Sequence, residues 1–282
     1  MAEHWKGAPV AQALTERLAA RADQLKVQGI VPTLAIVRVG ERPEDLSYER
    51  GALKRCEKVG IRVRQFTLPK ESSHGDLLAV IRQINGDREI HGCLLFRPLP
   101  PQMDEEAICA ALDPAKDVDG ITAGSLASVF AGSGAGYPPC TAQACMEILN
   151  YYGCDLTGKR AVVVGRSLVV GKPLAMLLLG KNATVTLCHP RTADLAAECR
   201  RAEVLIAAAG RANMIGRDHL ASGQLVLDVG INVDEEGNLV GDVDFAAADA
   251  IVGAVTPVPG GVGAVTTSVL AAHVLQAAEQ AR

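Results

Sequence analysis

The segment with the clearest chemical signal is a glycine-containing turn between a predicted strand and a predicted helix, Val164-Gly-Arg-Ser-Leu-Val-Val-Gly171. Glycine lets the backbone approach a phosphate closely, and the N-terminus of the following helix favours negative charge. Gly165, Arg166, Ser167 and Gly171 are therefore the predicted cofactor-binding residues of this turn. Because the spacing is not G-x-G-x-x-G, an ordinary strand–helix turn stays open as the alternative.

The end of the next predicted strand bears on which dinucleotide binds. NAD sites usually place Asp or Glu there to bind the ribose hydroxyls, whereas this segment reads Leu187-Cys-His-Pro-Arg191-Thr and contains no acid. Arg166 and Arg191 are suited to bind a 2′-phosphate. We therefore predict NADP, with NAD as the alternative if both arginines are merely solvated.

An acidic segment, Lys116-Asp-Val-Asp-Gly120, is the second candidate. An acid directly before a glycine turn, here Asp119, can hold a polar group of a substrate, although local turn chemistry explains such a pattern equally well. Two acids are too few for a calcium loop, and no pair of cysteines has C-x-x-C spacing. We predict no metal site.

A loop near the C-terminus, Thr256-Pro-Val-Pro-Gly-Gly-Val-Gly263, is the third candidate. Two prolines stiffen it, and three glycines permit close backbone approach. Such a loop suits contact with a flat ligand, and a tight connection between packed elements is the alternative.

The elements that must position these segments alternate between strands and helices, which indicates an α/β fold with mostly parallel sheets. After the first helix come three strands separated by helices; the predicted bounds are 8–28, 34–39, 46–59, 61–68, a helix that starts at the capping box Ser73–Asp76, and 92–96. A Gly/Pro-rich stretch at 134–139 marks a boundary, and a helix at 141–151 follows it. A second alternating series then has the plan of a mononucleotide-binding half, with strands at 161–164, 183–187, 204–207 and 225–228, helices at 170–180 and 193–201, and a last helix at 266–280.

Composition limits the class of protein. The chain has 282 residues, 49% hydrophobic, 21% charged and 3% aromatic, with a formal net charge of −4. Two globular domains without a nucleic-acid-binding face are expected. No apolar run reaches the roughly 18–20 residues of a membrane span. The eight cysteines fit reduced thiols, so a cytoplasmic location is predicted.

Taken together, the segments resemble the methylenetetrahydrofolate dehydrogenase/cyclohydrolase family over the whole chain. The matching pieces, in order, are Val39-Gly40 with Tyr48, Cys56–Gly60, Asn85–Asp87, Arg97–Pro100, Lys116–Gly120, Pro139–Thr141, Gly165–Ser167 with Val170-Gly171, Asp228–Asn232, Gly241–Val243 and Pro257–Gly263.

The resemblance implies two α/β domains with a folate cleft between them. The N-terminal catalytic, folate-binding domain covers 1–137 and is joined by the C-terminal helix at 264–282, and a Rossmann-type NAD(P)-binding domain covers 138–263. The resemblance also implies a homodimer with a tetrahydrofolate one-carbon substrate. The residues it assigns are Tyr48 and Asp119 to catalysis and substrate binding, Pro259, Gly260, Gly261, Val262 and Gly263 to substrate binding, and Ile231 to cofactor binding.

Two positions depart from the family pattern. Bifunctional members carry Lys four residues after the tyrosine, where this chain has Ala52, and Gln where it has Phe96. Lys54 is six residues from Tyr48, which rotates it about 120° away on the helix. Arg97 lies next to Phe96 but stays protonated and is a poor base. The final loop also departs, with Ala264 to Thr266 where members usually have Pro-Met/Phe-Thr.

These changes affect the two expected half-reactions differently. Hydride loss from a carbon flanked by two nitrogens needs no protein base, whereas hydration of the methenyl product needs a positioned group of suitable pKa, typically contributing ~10²–10⁴-fold. The sequence therefore predicts a dehydrogenase with weak or absent cyclohydrolase activity. The alternatives are the ordinary bifunctional enzyme, and a folate- or nucleotide-binding protein without catalysis.

Overall fold

The structure is a computed structural model that describes residues 1–281. Strands and helices alternate along its first half, in the order β1 (Glu3–His4), α1 (Gly7–Val27), β2 (Thr33–Val39), α2 (Pro43–Val59), β3 (Arg62–Leu68), α3 (His74–Gly86), β4 (Gly92–Leu95), α4 (Glu105–Ala111) and α5 (Ala123–Ala131). The second half continues with α6 (Cys140–Tyr151), β5 (Arg160–Val164), α7 (Gly171–Leu179), β6 (Thr184–Cys188), α8 (Leu195–Arg200), β7 (Val204–Ala207), β8 (Leu225–Asp228), β9 (Asn232–Val233), β10 (Leu239–Val240), α9 (Phe245–Ile251), β11 (Ala254–Val255) and α10 (Thr266–Gln280).

The chain divides into two compact units. One contains Gln12–Cys140 together with the chain from Thr267 onward, and we call it the three-stranded unit. The other contains Met1–Ala11 and Thr141–Thr266, and we call it the six-stranded unit. Both are α/β, so the predicted fold class is confirmed.

The three-stranded unit is built on the parallel sheet β3-β2-β4. Its central strand β2, Thr-Leu-Ala-Ile-Val-Arg-Val, is buried at every position, as expected for a parallel strand covered on both faces. Helix α3 begins at Ser73 with the predicted capping box. Its apolar face, Leu77, Ile81 and Ile84, packs into the core of the sheet.

The six-stranded unit is a parallel sheet in the order β1-β11-β8-β7-β5-β6. The valine-rich strand β5 lies between β6 and β7, which matches the predicted nucleotide-binding plan. In such sheets ligands bind outside the carboxyl ends of the strands. The turn after β5 and the loops after β7 and β8 are therefore the expected site.

Several short elements have no strong sequence pattern and were not predicted, namely β1, α4, α5, the β9–β10 hairpin, α9 and β11. β1 has exposed side chains and exists because it pairs with β11, with Glu3 opposite Ala254. This pairing groups residues 1–11 with the six-stranded unit, whereas the sequence placed them in the first domain. The predicted domain limits stay a prediction. Among the described residues, no helix is long and apolar enough to cross a membrane.

Candidate functional site

Helix α2 carries the first predicted site residue, Tyr48. The helix has Pro43 in its first turn and ends at Gly60 in the left-handed conformation. Its buried stripe includes Ala52, which is 0% exposed, while Tyr48 is half-buried. Positions 48 and 52 lie one turn apart on the same helix face. The position where bifunctional members carry lysine is therefore a fully buried methyl group.

Phe96, which follows β4, lies against this helix. Its backbone N–H continues the sheet by donating to the Val37 carbonyl at 3.0 Å. Its ring meets that of Tyr48 edge-on, with centroids 6.0 Å apart and an interplanar angle of 81°. The structure thus brings Tyr48 and Phe96 into contact.

Two basic residues, Lys54 and Arg97, lie near these positions in the sequence. Lys54 is exposed. Arg97 pairs with Glu105 at 3.5 Å, and the second carboxylate oxygen of Glu105 accepts the Leu99 N–H at 2.8 Å. Arg97 is still close enough for its charge to lower the pKa of Asp119, so it acts on the site as a fixed positive charge.

The loop that carries Asp119 is fixed at its start by Lys116. The ammonium group donates to three carbonyls at the C-terminal end of α3, those of Ile84 (2.6 Å), Asn85 (3.0 Å) and Asp87 (2.6 Å). A cation is favoured at this end of a helix by the helix dipole. Lys116 is therefore a structural anchor for the loop.

The rest of the loop is fixed by Asp117 and Gly120. Both oxygens of the buried Asp117 carboxylate accept backbone N–H groups, from Ile121 at 2.9 Å and Thr122 at 2.7 Å. Gly120 has φ +70°, and a Cβ there would lie 2.5 Å from the Pro139 nitrogen. Only glycine satisfies this turn, so the Asp-Gly pattern has a backbone reason.

Asp119 itself is half-buried between these anchors. Burial raises the pKa of its carboxyl to about 6, against the lowering effects of a hydrogen bond from the Cys140 thiol and of the Arg97 charge. The group is thus mostly ionised at neutral pH and becomes protonated in mildly acidic solution. A carboxylate with an altered pKa on a rigid loop fits a functional site.

The turn after β5 is folded so tightly that two of its positions have no room for a side chain. Gly165 has φ +128°, and a Cβ there would lie 2.0 Å from the Ala208 carbonyl oxygen. A Cβ at Gly171 would lie 1.9 Å from the Gly165 oxygen. Ser167 accepts the Val170 N–H at 3.1 Å, which shapes the turn into the N-terminus of α7. The turn thus places the N-terminus of α7 beside the carboxyl end of β5, an arrangement that fits the pyrophosphate of a dinucleotide.

Two arginines predicted to contact the cofactor lie on the surface of the same unit. Arg166 in the turn and Arg191 after β6 are both exposed. The segment around Arg191 is ordered by local bonds, since His189 accepts the Arg191 N–H at 3.1 Å and its own N–H donates to Thr192 at 2.9 Å. The positive charges of the Arg166 and Arg191 guanidinium groups suit the binding of a 2′-phosphate.

Two buried carboxylates hold the loops at the carboxyl ends of β7 and β8. Asp242 accepts the N–H groups of Ala209 (2.5 Å), Gly210 (2.9 Å) and Arg211 (2.8 Å), and the side-chain amide of Asn232 at 3.0 Å.

The second carboxylate, Asp228, accepts the N–H groups of Gly230, Asp242 and Val243, each at 2.9 Å. Burial raises its pKa to about 6. Sequence reasoning did not assign either acid, although both lie in segments that carry the resemblance.

The loop 257–263 follows β11 at the carboxyl end of that strand in the six-stranded unit. Gly260 has φ +103°, and a Cβ at Gly261 would lie 2.5 Å from the Pro257 carbonyl oxygen. Pro259 and Gly263 are exposed, whereas Val262 is buried. The loop therefore presents mostly backbone.

Ile231 is 70% exposed, and a Cβ at Gly263 would lie 3.9 Å from its Cδ1 atom. Ile231 and this loop thus lie side by side. Over residues 1–281, no group of three or more His, Cys, Asp or Glu is placed to hold a metal ion.

Comparisons with known proteins agree with these features. Residues 5–119 match the tetrahydrofolate dehydrogenase/cyclohydrolase catalytic domain, and residues 139–282 match the NAD(P)-binding domain of the same enzymes. The bifunctional protein FolD of Carboxydothermus hydrogenoformans is 51% identical over 281 residues, covering 99% of this chain and 98% of that protein.

Solved structures give the same result. The bifunctional FolD methylenetetrahydrofolate dehydrogenase/cyclohydrolase of Campylobacter jejuni has a TM-score of 0.96 at 36% identity, covering 99% of both chains. The Trypanosoma brucei enzyme, solved with NADP and an inhibitor, has a TM-score of 0.93 at 32% identity, covering 99% of this chain and 98% of that one. The predicted family is confirmed, and the names of these proteins favour the bifunctional alternative over a weakened cyclohydrolase. The individual residue roles stay predictions.

Proposed function

Since the chain belongs to the tetrahydrofolate dehydrogenase/cyclohydrolase family, we propose that it oxidises 5,10-methylenetetrahydrofolate to 5,10-methenyltetrahydrofolate with NADP⁺ as the acceptor. The observation that carries the proposal is the tight glycine turn at Gly165 and Gly171, because it brings the N-terminus of α7 to the carboxyl end of β5, where a dinucleotide pyrophosphate binds.

Hydride transfer requires the protein mainly to orient the substrate against the nicotinamide. The two nitrogens that flank the methylene carbon stabilise the cation that forms when the hydride leaves, and a bound nicotinamide supplies the acceptor. Asp119 offers two carboxylate oxygens, which match adjacent N–H donors on a pterin. Tyr48 offers a half-buried ring and hydroxyl as a contact for the substrate. Holding the reacting atoms in place accounts for much of such catalysis.

We propose NADP over NAD because of the charged residues in and near the turn after β5. Arg166 and Arg191 are exposed where a 2′-phosphate could meet them, and residues 187–192 contain no acid to bind free ribose hydroxyls. Arginine binds phosphate through two parallel N–H bonds. NAD is the alternative for this site.

Hydrolysis of the methenyl product is the second candidate activity. The names of the relatives support it, since those proteins are described as bifunctional. The side chains at two positions support its loss: Ala52 provides no amine beside Tyr48, and Phe96 provides no amide. Proton transfer to and from the folate nitrogens needs such a group.

One assay tests both activities. Purified protein is mixed with methylenetetrahydrofolate and either NADP⁺ or NAD⁺, and the near-ultraviolet absorbance of the methenyl product is followed. Accumulation of that product supports the proposal. Absence of cofactor reduction with either nucleotide overturns it, and enzyme-dependent decay of methenyltetrahydrofolate, after subtraction of the uncatalysed rate, establishes the bifunctional alternative.

We also propose a cytoplasmic homodimer without nucleic-acid or membrane partners. The family resemblance and the formal charge of −4 support this assignment. Light scattering on the purified protein tests the dimer.

A further inference from the structure

A buried ion pair holds helix α2 against the end of strand β2. The Arg38 Nε atom donates to Glu49 Oε2 at 3.0 Å, and the two residues are 8% and 4% exposed. The other carboxylate oxygen, Glu49 Oε1, accepts the side-chain amide of Gln65 on β3 at 2.6 Å. Arg38 also donates through Nη1 to the carbonyl of Gly40, where the chain leaves β2 toward α2. One carboxylate thus ties the helix to two neighbouring strands.

The same strand end also holds the residue whose ring meets Tyr48. Val37, directly before Arg38, accepts the Phe96 N–H on its carbonyl at 3.0 Å. Tyr48, directly before Glu49, meets the Phe96 ring edge-on. The end of β2 therefore fixes Phe96 through the backbone and the Tyr48 helix through a side chain, so the placement of one ring against the other depends on both attachments.

Stability alone does not account for a buried pair of this kind. Replacing such a pair with well-packed apolar residues is often neutral or stabilising. Hydrogen bonds from a guanidinium group to a carboxylate are directional, whereas the remaining buried residues of α2 toward its C-terminal end, Ala52, Cys56 and Val59, are apolar and make non-directional contacts. The bonds of Glu49 are therefore the contacts on this face of α2 that resist rotation and sliding of the helix.

We propose that Glu49 is a positioning residue for Tyr48: held by Arg38 and Gln65, it fixes the rotation and height of α2, so that the tyrosine ring meets Phe96 and its hydroxyl is presented to the substrate. The inference rests on the substrate contact proposed above for Tyr48. Glu49 acts through the helix, because both of its carboxylate oxygens are bound by donors of the sheet.

Fluorine NMR of protein labelled with 3-fluorotyrosine reads the placement of Tyr48 without catalysis. The chain has four tyrosines, and the resonance missing from Tyr48→Phe is that of Tyr48. Phe96→Leu should move this resonance, because it removes the ring that lies edge-on to the tyrosine. A resonance that ignores Phe96→Leu would contradict the ring contact and, with it, the proposal.

Glu49→Gln is the main variant. The new NH₂ group meets a donor that the carboxylate accepted, so the attachment of α2 loosens. The Tyr48 resonance should move while those of the other three tyrosines stay. KM for methylenetetrahydrofolate should rise about 3- to 10-fold, the range of one hydrogen bond, and KM for NADP⁺ should not change. In a Tyr48→Phe background, Glu49→Gln should add little, because its effect passes through the tyrosine.

Glu279→Gln is the matched control. Glu279 on α10 accepts two bonds from Arg21 on α1, at 3.1 and 2.7 Å, within the same three-stranded unit. This change weakens a two-bond arginine–carboxylate pair away from α2, so the Tyr48 resonance and both KM values should stay at wild type. An equal movement in this control, or an unmoved Tyr48 resonance in Glu49→Gln, overturns the proposal.

Arg38→Met combined with Glu49→Leu decides the question if Glu49→Gln does not fold. The apolar pair leaves no buried charge and should recover stability, but it makes no directional bond. The Tyr48 resonance and KM for methylenetetrahydrofolate should therefore remain shifted, and a return of both to wild-type values overturns the proposal. Failure of the proposed function is distinct: the wild type then lacks dehydrogenase activity, while the resonance still reports the placement of Tyr48.

Discussion

The ring of Phe96 packs edge-on against that of Tyr48, with centroids 6.0 Å apart, and Ala52, one helical turn after Tyr48, is fully buried. Aromatic pairs of this geometry contribute about 0.5–1.5 kcal/mol beyond their buried area. Positions 52 and 96 therefore hold a buried methyl group and a packed ring, with neither an amine nor an amide. We propose that dehydrogenation depends less on these two positions than hydration of the methenyl carbon, which requires proton transfer.

Restoring both polar groups should create or strengthen hydrolysis. We expect Ala52→Lys with Phe96→Gln to convert methenyltetrahydrofolate to the 10-formyl product at least about tenfold faster than the parent chain. The site is buried, which lowers the pKa of a lysine and suits it to proton transfer near neutral pH. The decay of methenyl absorbance measures the effect.

The control for that variant is Ala52→Met with Phe96→Gln, which has similar bulk but no amine. Both double variants should lose stability through overpacking at position 52, typically 1–3 kcal/mol. Equal hydrolysis rates in the lysine and methionine versions would show that the amine at 52 does not control this step.

Arg166→Ala should discriminate between the two nucleotides. Loss of a charge-assisted phosphate contact should lower kcat/KM with NADP⁺ by roughly 10- to 100-fold, with little change for NAD⁺. Initial rates with both cofactors measure it. Arg217→Ala, at another exposed arginine of the six-stranded unit, is the control and should affect neither. A parallel fall for both nucleotides after Arg166→Ala contradicts a 2′-phosphate role.

Asp242→Asn should loosen the loops after β7 and β8. The amide is isosteric, but its NH₂ group faces backbone N–H donors from Ala209 to Arg211. Leaving buried donors unsatisfied costs about 1–3 kcal/mol. We expect lower stability and weaker NADP⁺ binding, measured by thermal unfolding and by calorimetric titration.

Asp234→Asn is the matched control for that change. Asp234 also accepts backbone N–H groups, from Glu236 and Asn238, but at the exposed turn between β9 and β10. Water replaces its bonds, so stability and NADP⁺ affinity should stay near wild type. Equal losses in the two variants would argue against a special role for Asp242.

The sequence predicts those elements whose defining residues lie close together along the chain. Strand β2 is an apolar run, and Ser73 and Asp76 form a capping box within four positions. The bond between His273 and Val118 spans 155 positions, and no periodicity points to such a contact. Likewise β1 has no apolar pattern of its own and forms only because β11 offers an edge.

Lowering the pH should reduce the free energy of unfolding because the buried His273 becomes protonated. Its pKa is about 4 in the fold against an ordinary 6.5, so between these values the unfolded state binds more protons. The stabilisation is complete above pH 6.5 and is lost as the pH falls toward 4, by about 3 kcal/mol over that window. Urea unfolding of the wild type and His273→Asn at about pH 7 and pH 4.5 measures it.

The raised pKa values of Asp119 and Asp228 act in the opposite direction but in both proteins, so they cancel in the comparison. The wild type should lose more stability on acidification than His273→Asn, and equal losses would show that the imidazole is not held neutral in the fold.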